Sequence, residues 1–438
     1  MFQIVNSGIT QQTYYLKIFQ NNIIYVFRNL AMYQNFFQRI SGLLWLSLLV
    51  LPTASLLRFP KVILLALLIP LVIFLKPYYN KTLLYFLIAI LLYACFNTLL
   101  GLLYGNPGAL RVLTVTMLWP ILFFIISGHF KIEYIKKVEK IFKVSAILIL
   151  ILGLIQLSES FFLYDGIAKY FFEKDAETYI NIDKAYASFS NPAMASLLFL
   201  GPFFLTRLII EKRKSDLWYV IIIILIGFIA NRRGLLVAMG ITIPILISFL
   251  IASGTIGLRK ATTILARSVI VILFLLGILI YLYPEIITEF QNRFFTNKEA
   301  SNVERTKQLP ALLNGFYKNI FIGNGAGAVA GVVRSYEQPW SYELFYLSIL
   351  FHQGIIGLLL YFSSFLTVLY FILKLVKKYP GYIGNHLIMV ICASCVFLIN
   401  SATNPYIGKL DYMWVIFYPI ALCNFLSTKN DIKVLNIQ

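Results

Sequence analysis

Five ionisable residues in this sequence have types and surroundings suited to handling a phosphorylated substrate. Arg232 and Arg233 interrupt an apolar stretch as Asn231-Arg232-Arg233-Gly234. Arg305 and Arg334 lie in the longest polar segment, and Glu343 stands where that segment gives way to an apolar run, in Trp340-Ser341-Tyr342-Glu343-Leu344. Arginine is the residue expected where a phosphate must be gripped, because its planar fork presents two parallel donors and stays charged. A carboxylate at the head of an apolar run is a candidate general base for a hydroxyl. The blander alternatives are snorkelling interface anchors for Arg232 and Arg233, solvated loop charges for Arg305 and Arg334, and a helix-start acid capped by Ser341 for Glu343.

Other chemistries find less support. Gly323-Asn324-Gly325-Ala326-Gly327 has neither the preceding strand nor the following acidic residue of a dinucleotide site; it reads instead as a tight turn whose backbone amides could approach an anion. The four cysteines all fall in apolar runs, and Cys392 and Cys395, although spaced CxxC, have no ligand partners nearby. His129, His352 and His386 do not group with acids at metal-ligand spacing, so neither a metal nor another cofactor is expected. No P-loop pattern occurs.

The elements that must position these residues are membrane helices. Of the 438 residues, 60% are hydrophobic and 13% charged, against about 25% charged in an ordinary soluble domain. About 20 apolar residues are needed to cross the ~30 Å hydrocarbon layer. Twelve runs qualify, near 40–57, 62–76, 82–104, 110–127, 143–164, 193–210, 217–230, 234–252, 266–283, 353–375, 382–400 and 410–427. They lack the period-two alternation of barrel strands, so the expected fold class is all-α, a polytopic membrane protein with about 12 transmembrane helices. Between helices 9 and 10 it carries a long, partly helical loop over 284–341.

The net charge of +19, from 37 Lys+Arg against 18 Asp+Glu, is parcelled into short loops rather than gathered in a stripe. That argues for topology signalling and against nucleic-acid binding. With the N-terminus inside, 22 basic residues fall on the cytoplasmic side and 15 outside, six of these in the long loop. Residues 1–39 and 428–438 are then cytoplasmic, 40–427 form one membrane domain, and the long loop faces outward. No cleavable signal peptide is expected, because the first forty residues lack a compact apolar core. The two halves of the chain do not echo each other, which speaks against a repeat-built transporter.

Taken together, these residues resemble the bacterial O-antigen polymerase and O-antigen ligase superfamily of membrane glycosyltransferases. Ala187-Ser188-Phe189-Ser190-Asn191-Pro192 is similar to that family's Gly-x-Phe-x-Asn-Pro lead-in to a mid-chain span. Asn231-Arg232-Arg233-Gly234 sits where the family has a Ser/Thr-Arg-x-Gly turn. Arg305, eighteen residues before Gly323-Asn324-Gly325, looks like an outer-loop arginine preceding Gly-x-Gly. Glu343 precedes Gly354-Ile355-Ile356-Gly357 by eleven residues, just ahead of a Gly-x-x-Gly. Ligases typically carry a histidine at the position of Glu343, so the acid favours a polymerase.

The resemblance implies a metal-independent polymerase of the bacterial inner membrane. It would join undecaprenyl-diphosphate-linked oligosaccharide repeat units into polysaccharide at the outer face, beside a flippase and a chain-length regulator. Glu343, Arg232 and Arg305 would be catalytic. Arg233, Arg334, Asn191, Gly323, Gly325, Tyr342 and Tyr406 would bind substrate. A ligase of the same superfamily and a transporter of lipid-linked sugars are the alternatives.

Overall fold

The computed structural model describes residues 32–52, 58–162, 179–183, 186–190, 192–229, 232–282 and 300–428. The helices are α1 (32–50), α2 (Arg58–Phe74), α3 (Lys81–Leu103), α4 (Ala109–Ser127, with a π-helical turn over Thr114–Leu118) and α5 (Tyr134–Phe162). They continue as α6 (Met194–Glu211), α7 (Lys214–Ile229), α8 (Arg233–Ala252), α9 (Leu258–Leu282), α10 (Ala300–Lys318), α11 (Phe345–Lys378), α12 (Tyr382–Asn400) and α13 (Trp414–Thr428).

A helix stands at each of the twelve expected positions, and α10 is the additional helix of the long polar segment. Among the described residues six helices are long and apolar enough to cross a membrane: α3, α4, α6, α8, α11 and α12. One element departs from the all-α expectation. Strands β1 (Tyr179–Asp183) and β2 (Tyr186–Ser190) pair antiparallel, Tyr179 opposite Ser190. After its leading tyrosine each alternates apolar and polar residues with period two, the signature of a strand too short to stand out as a membrane run.

The centre of the bundle is α6 with α12, both mostly buried, whereas most residues of α3 and α11 are only partly covered. An aromatic cluster fills the middle: Phe142 lies 5.0 Å from Phe203, and Phe199 sits edge-on to Trp414 at 4.7 Å. Such pairs bring large apolar area plus favourable ring geometry.

Helix ends alternate between two poles. At one, Asn80 caps α3 by accepting from the Thr82 amide. Its own amide donates to Asn424, whose side chain donates to Ser127 at the end of α4. Arg207 shares this pole. It grips Asp216 through two bonds of 2.6 and 2.5 Å and approaches Glu139 at 3.3 Å. Glu139 in turn contacts His386, which reaches the Tyr418 hydroxyl at 2.6 Å. At the opposite pole Tyr412 donates to the Pro192 carbonyl, Tyr346 to the Leu398 carbonyl, and Lys61 pairs with Asp411 at 2.6 Å.

Candidate functional site

The second pole carries the candidate site, and its framework is a break in α11. Gly354 adopts φ 65° and ψ −170° inside an otherwise continuous helix. A Cβ there would stand 2.2 Å from the Phe321 carbonyl oxygen, so only glycine fits. The break frees two carbonyls and two amides, and each finds a partner, as buried backbone groups must. Phe351 accepts from the Asn324 amide and His352 from the Gly325 amide. Beyond the break, the Ile355 and Ile356 amides donate to Ile320 and Phe321. Asn97 of α3 adds a side-chain bond to the His352 carbonyl at 2.8 Å. The loop after α10 is thereby laced to the first turns of α11.

This lacing sets α10 against the residues just before α11. Arg305 Nε lies 2.8 Å from Glu343 Oε2, and an Arg334 guanidinium nitrogen lies 3.3 Å from Oε1. Glu343 is only 6% exposed, so one buried carboxylate bridges two arginines that are partly open to solvent. The Arg305 Nε–H is not aligned for a hydrogen bond, so this contact is an ion pair. Glu343 also donates its backbone amide to Gln308 Oε1 at 2.9 Å. Gln308 is fully buried one turn along from Arg305 and fixes where the Glu343 backbone sits. Sequence reasoning missed Gln308; its signal was the i, i+3 spacing from Arg305, which puts both on one helix face.

Arg334, Arg305 and Glu343 thus meet as the sequence suggested. The other expected residues do not all join them. Arg232 stands just before α8 at the same pole, where Gly234 lies against Asn400, but the ion-pair partners of Glu343 among the described residues are Arg305 and Arg334. Arg233 begins α8; Asn191 lies outside the described residues. Tyr406 packs on Phe397 and Tyr412 in the turn whose Gly408 faces Phe345.

Three substrate-binding expectations need correction. Tyr342 is 2% exposed, its hydroxyl accepts the Ala330 amide, and its ring meets Phe351 edge-on. Burial also pushes its phenol pKa up. It is a strut under the site rather than a surface contact. Gly323 and Gly325 have φ of 73° and 82°, and a Cβ on either would strike backbone, at His352 and Gly101 respectively. The amides of Gly323, Asn324, Gly325 and Ala326 are all donated within the protein. The loop therefore offers those amides to no anion; its glycines permit close packing.

Among the described residues no group of three His, Cys, Asp or Glu side chains could hold a metal ion. His352 is buried with both ring nitrogens facing carbonyl oxygens, of Ser348 at 2.8 Å and Ala328 at 3.0 Å, so it braces the break. Chemically, the arrangement offers two guanidinium groups for an anion and one carboxylate already beside them. No family model matches the chain, and no curated protein matches it.

Proposed function

We propose that this chain is a polysaccharide polymerase of the bacterial cytoplasmic membrane, elongating a glycan carried on undecaprenyl diphosphate at the outer face. The observation that carries the reading is the Arg305–Glu343–Arg334 cluster, at one pole of a bundle of apolar helices. In this reading both termini are cytoplasmic and the site faces outward. The opposite pole, with Arg207, Lys374, Lys377 and Lys378, is the cytoplasmic one, consistent with the excess of basic residues there.

The chemistry is one displacement. A sugar hydroxyl of the incoming unit attacks the anomeric carbon of the growing chain. The new C–O bond forms as the bond to the lipid diphosphate breaks, and the bonding pair leaves with the diphosphate. Arg305 and Arg334 take up the charge developing on that leaving group, the kind of preorganised help that is often the largest catalytic contribution. Arg232, with Arg233, borders the same pole and would extend the anion grip. With no ligand bound, both oxygens of Glu343 are engaged by arginines. An arriving diphosphate competes for those guanidiniums and frees the carboxylate to accept the hydroxyl proton. No step calls for a metal ion.

The test is elongation of a synthetic undecaprenyl-diphosphate-linked repeat unit by purified protein in liposomes. Covalent elongation, lost in Arg305→Ala and Glu343→Gln, supports the polymerase. Movement across the bilayer without elongation would assign a transporter, and transfer to a non-glycan acceptor a ligase.

A further inference from the structure

A second concave site lies behind the first. A cleft of about 660 Å³ opens between α10, the glycine-rich loop and residues 328–332. That volume falls within the range of about 300–1,000 Å³ usual for ligand pockets. Its polar lining includes Tyr104, Asn106, Lys307, Asn314, Lys318 and Asn319, and among the described residues no acidic side chain lines it. Along α10, at 100° per residue, positions 307, 314 and 318 stand on the side of the helix opposite 305 and 312. Arg305 faces Glu343, and Leu312 packs with Tyr342. The cleft and the catalytic cluster are therefore back to back across one helix. The segment that walls the cleft continues directly to Arg334.

The floor of the cleft is braced, not improvised. Asn106 donates to the carbonyls of Asn324 and Ala326 at 2.9 and 3.2 Å, Asn324 donates to Gly315, and Asn319 donates to Asn324. What remains unspent faces the opening. Asn314 makes no hydrogen bond among the described residues, and Lys307 and Lys318 have no ion-pair partner among them. The two lysines are eleven positions apart on one helix, about 16 Å along its axis. They mark two points along an extended ligand rather than the jaws of a single small-anion site. Lysine is also a flexible point charge, without the bidentate fork that selects a phosphate.

We propose that this cleft binds an oligosaccharide chain bearing negative charges, with Lys307 and Lys318 pairing to charged groups several sugars apart and the asparagine side chains meeting hydroxyls. This rests on the reading of the protein as a polysaccharide polymerase and names the class of glycan it holds: an acidic one, laid along α10 beside the reacting end.

The test uses the full chain purified in detergent, with hexagalacturonate as the acidic probe and maltohexaose as the neutral one, in calorimetric titrations at low salt. Hexagalacturonate should bind saturably, maltohexaose at least tenfold more weakly. The doubly substituted Lys307→Gln/Lys318→Gln protein should lose at least tenfold in affinity at an unchanged melting temperature. Should the double substitution impair folding, the single Lys307→Ser and Lys318→Ser proteins provide the same comparison. Equal binding of both probes, absence of hexagalacturonate binding, or undiminished binding by the lysine variants overturns the proposal. So does phosphatidylglycerol-vesicle binding that alone depends on the two lysines, which would assign them to a lipid surface. Because no turnover is measured, hexagalacturonate binding with failed elongation would overturn the polymerase reading alone.

Discussion

Arg305 Nε and Glu343 Oε2 stand 2.8 Å apart although 38 positions separate the two residues in the chain. In the proposed polymerase, removing the guanidinium would strip the developing diphosphate charge of one fixed donor. For a preorganised donor of this kind the loss is about 10²–10³ in kcat. Arg305→Ala should therefore reduce elongation by that factor at normal membrane abundance, with single repeat units accumulating in a strain that depends on it. Normal chain lengths in that strain would refute the assignment.

Glu343→Gln separates two roles. The amide cannot take a proton, and loss of general-base help lowers turnover by about 10²–10⁴. The same change removes the carboxylate that competes for Arg305 and Arg334. A short-chain lipid diphosphate should then bind the variant more tightly than the parent. Lower turnover with unchanged or weaker diphosphate affinity would show that Glu343 is not displaced during the reaction.

Arg207 lies at the far pole, fully buried between Asp216 and Glu139 and beneath the rings of Phe203 and Phe204. Its removal leaves carboxylates buried without their partner, which costs about 3–5 kcal/mol. Arg207→Ala should melt well below the parent in detergent. Arg207→Lys should recover only part of the loss, because an ammonium cannot reproduce the two-point grip on Asp216. Melting within a degree of the parent would count against a structural role.

His129 predicts an acid limb in stability. The ring is 2% exposed, neither nitrogen has a hydrogen-bond partner among the described residues, and Phe37 lies 5.9 Å away. Burial pushes its pKa down to about 4 from 6.5. Above pH 6.5 the imidazole is neutral whether the chain is folded or unfolded. Between pH 6.5 and 4 only the unfolded chain takes the proton, so stability falls with pH by up to about 3 kcal/mol. His129→Phe should flatten that limb of a melting-temperature profile. An unchanged acid slope would locate the effect elsewhere.

Gly354→Ala places a methyl group against the Phe321 carbonyl in a backbone conformation that only glycine adopts comfortably. It should abolish folding of the segment that carries the candidate site. Gly240→Ala, in the interior of α8 with open space around the site, is the control and should be tolerated. Equal behaviour of the two variants would mean that the break in α11 has no structural weight.

Much of this architecture was legible because lipid imposes a simple pattern. Long apolar runs located α3, α6 and α12 to within a few residues, since a chain in hydrocarbon must satisfy its backbone helically. Arg305, Arg334 and Glu343 were singled out by residue type and by the family resemblance; that the carboxylate pairs directly with both arginines became visible only in the structure. What failed was depth. Arg207 falls inside the expected 193–210 run, and a tally of basic residues does not see that it is sealed in the bundle against a carboxylate supplied by another helix. The glycines at 323 and 325 suggested an anion cradle, but sequence does not show that the carbonyls of Asn319, Phe351, His352 and Asn97 already take those amides. Gln308 escaped notice because its one sequence signal, a place on the same helix face as Arg305, does not reveal that the amide of Glu343 is its partner.

The exchange of backbone partners at Gly354 closes a loop within contiguous sequence. From Arg305 the connection runs along α10, crosses into α11 through residues 319–325, returns to Glu343 and ends at Arg305 again. The Arg305–Glu343 pair thus belongs to one local folding unit. Amide hydrogen exchange across 305–356 should rise and fall as a block, and the candidate site would be lost or regained in a single opening event while the surrounding helices remain intact.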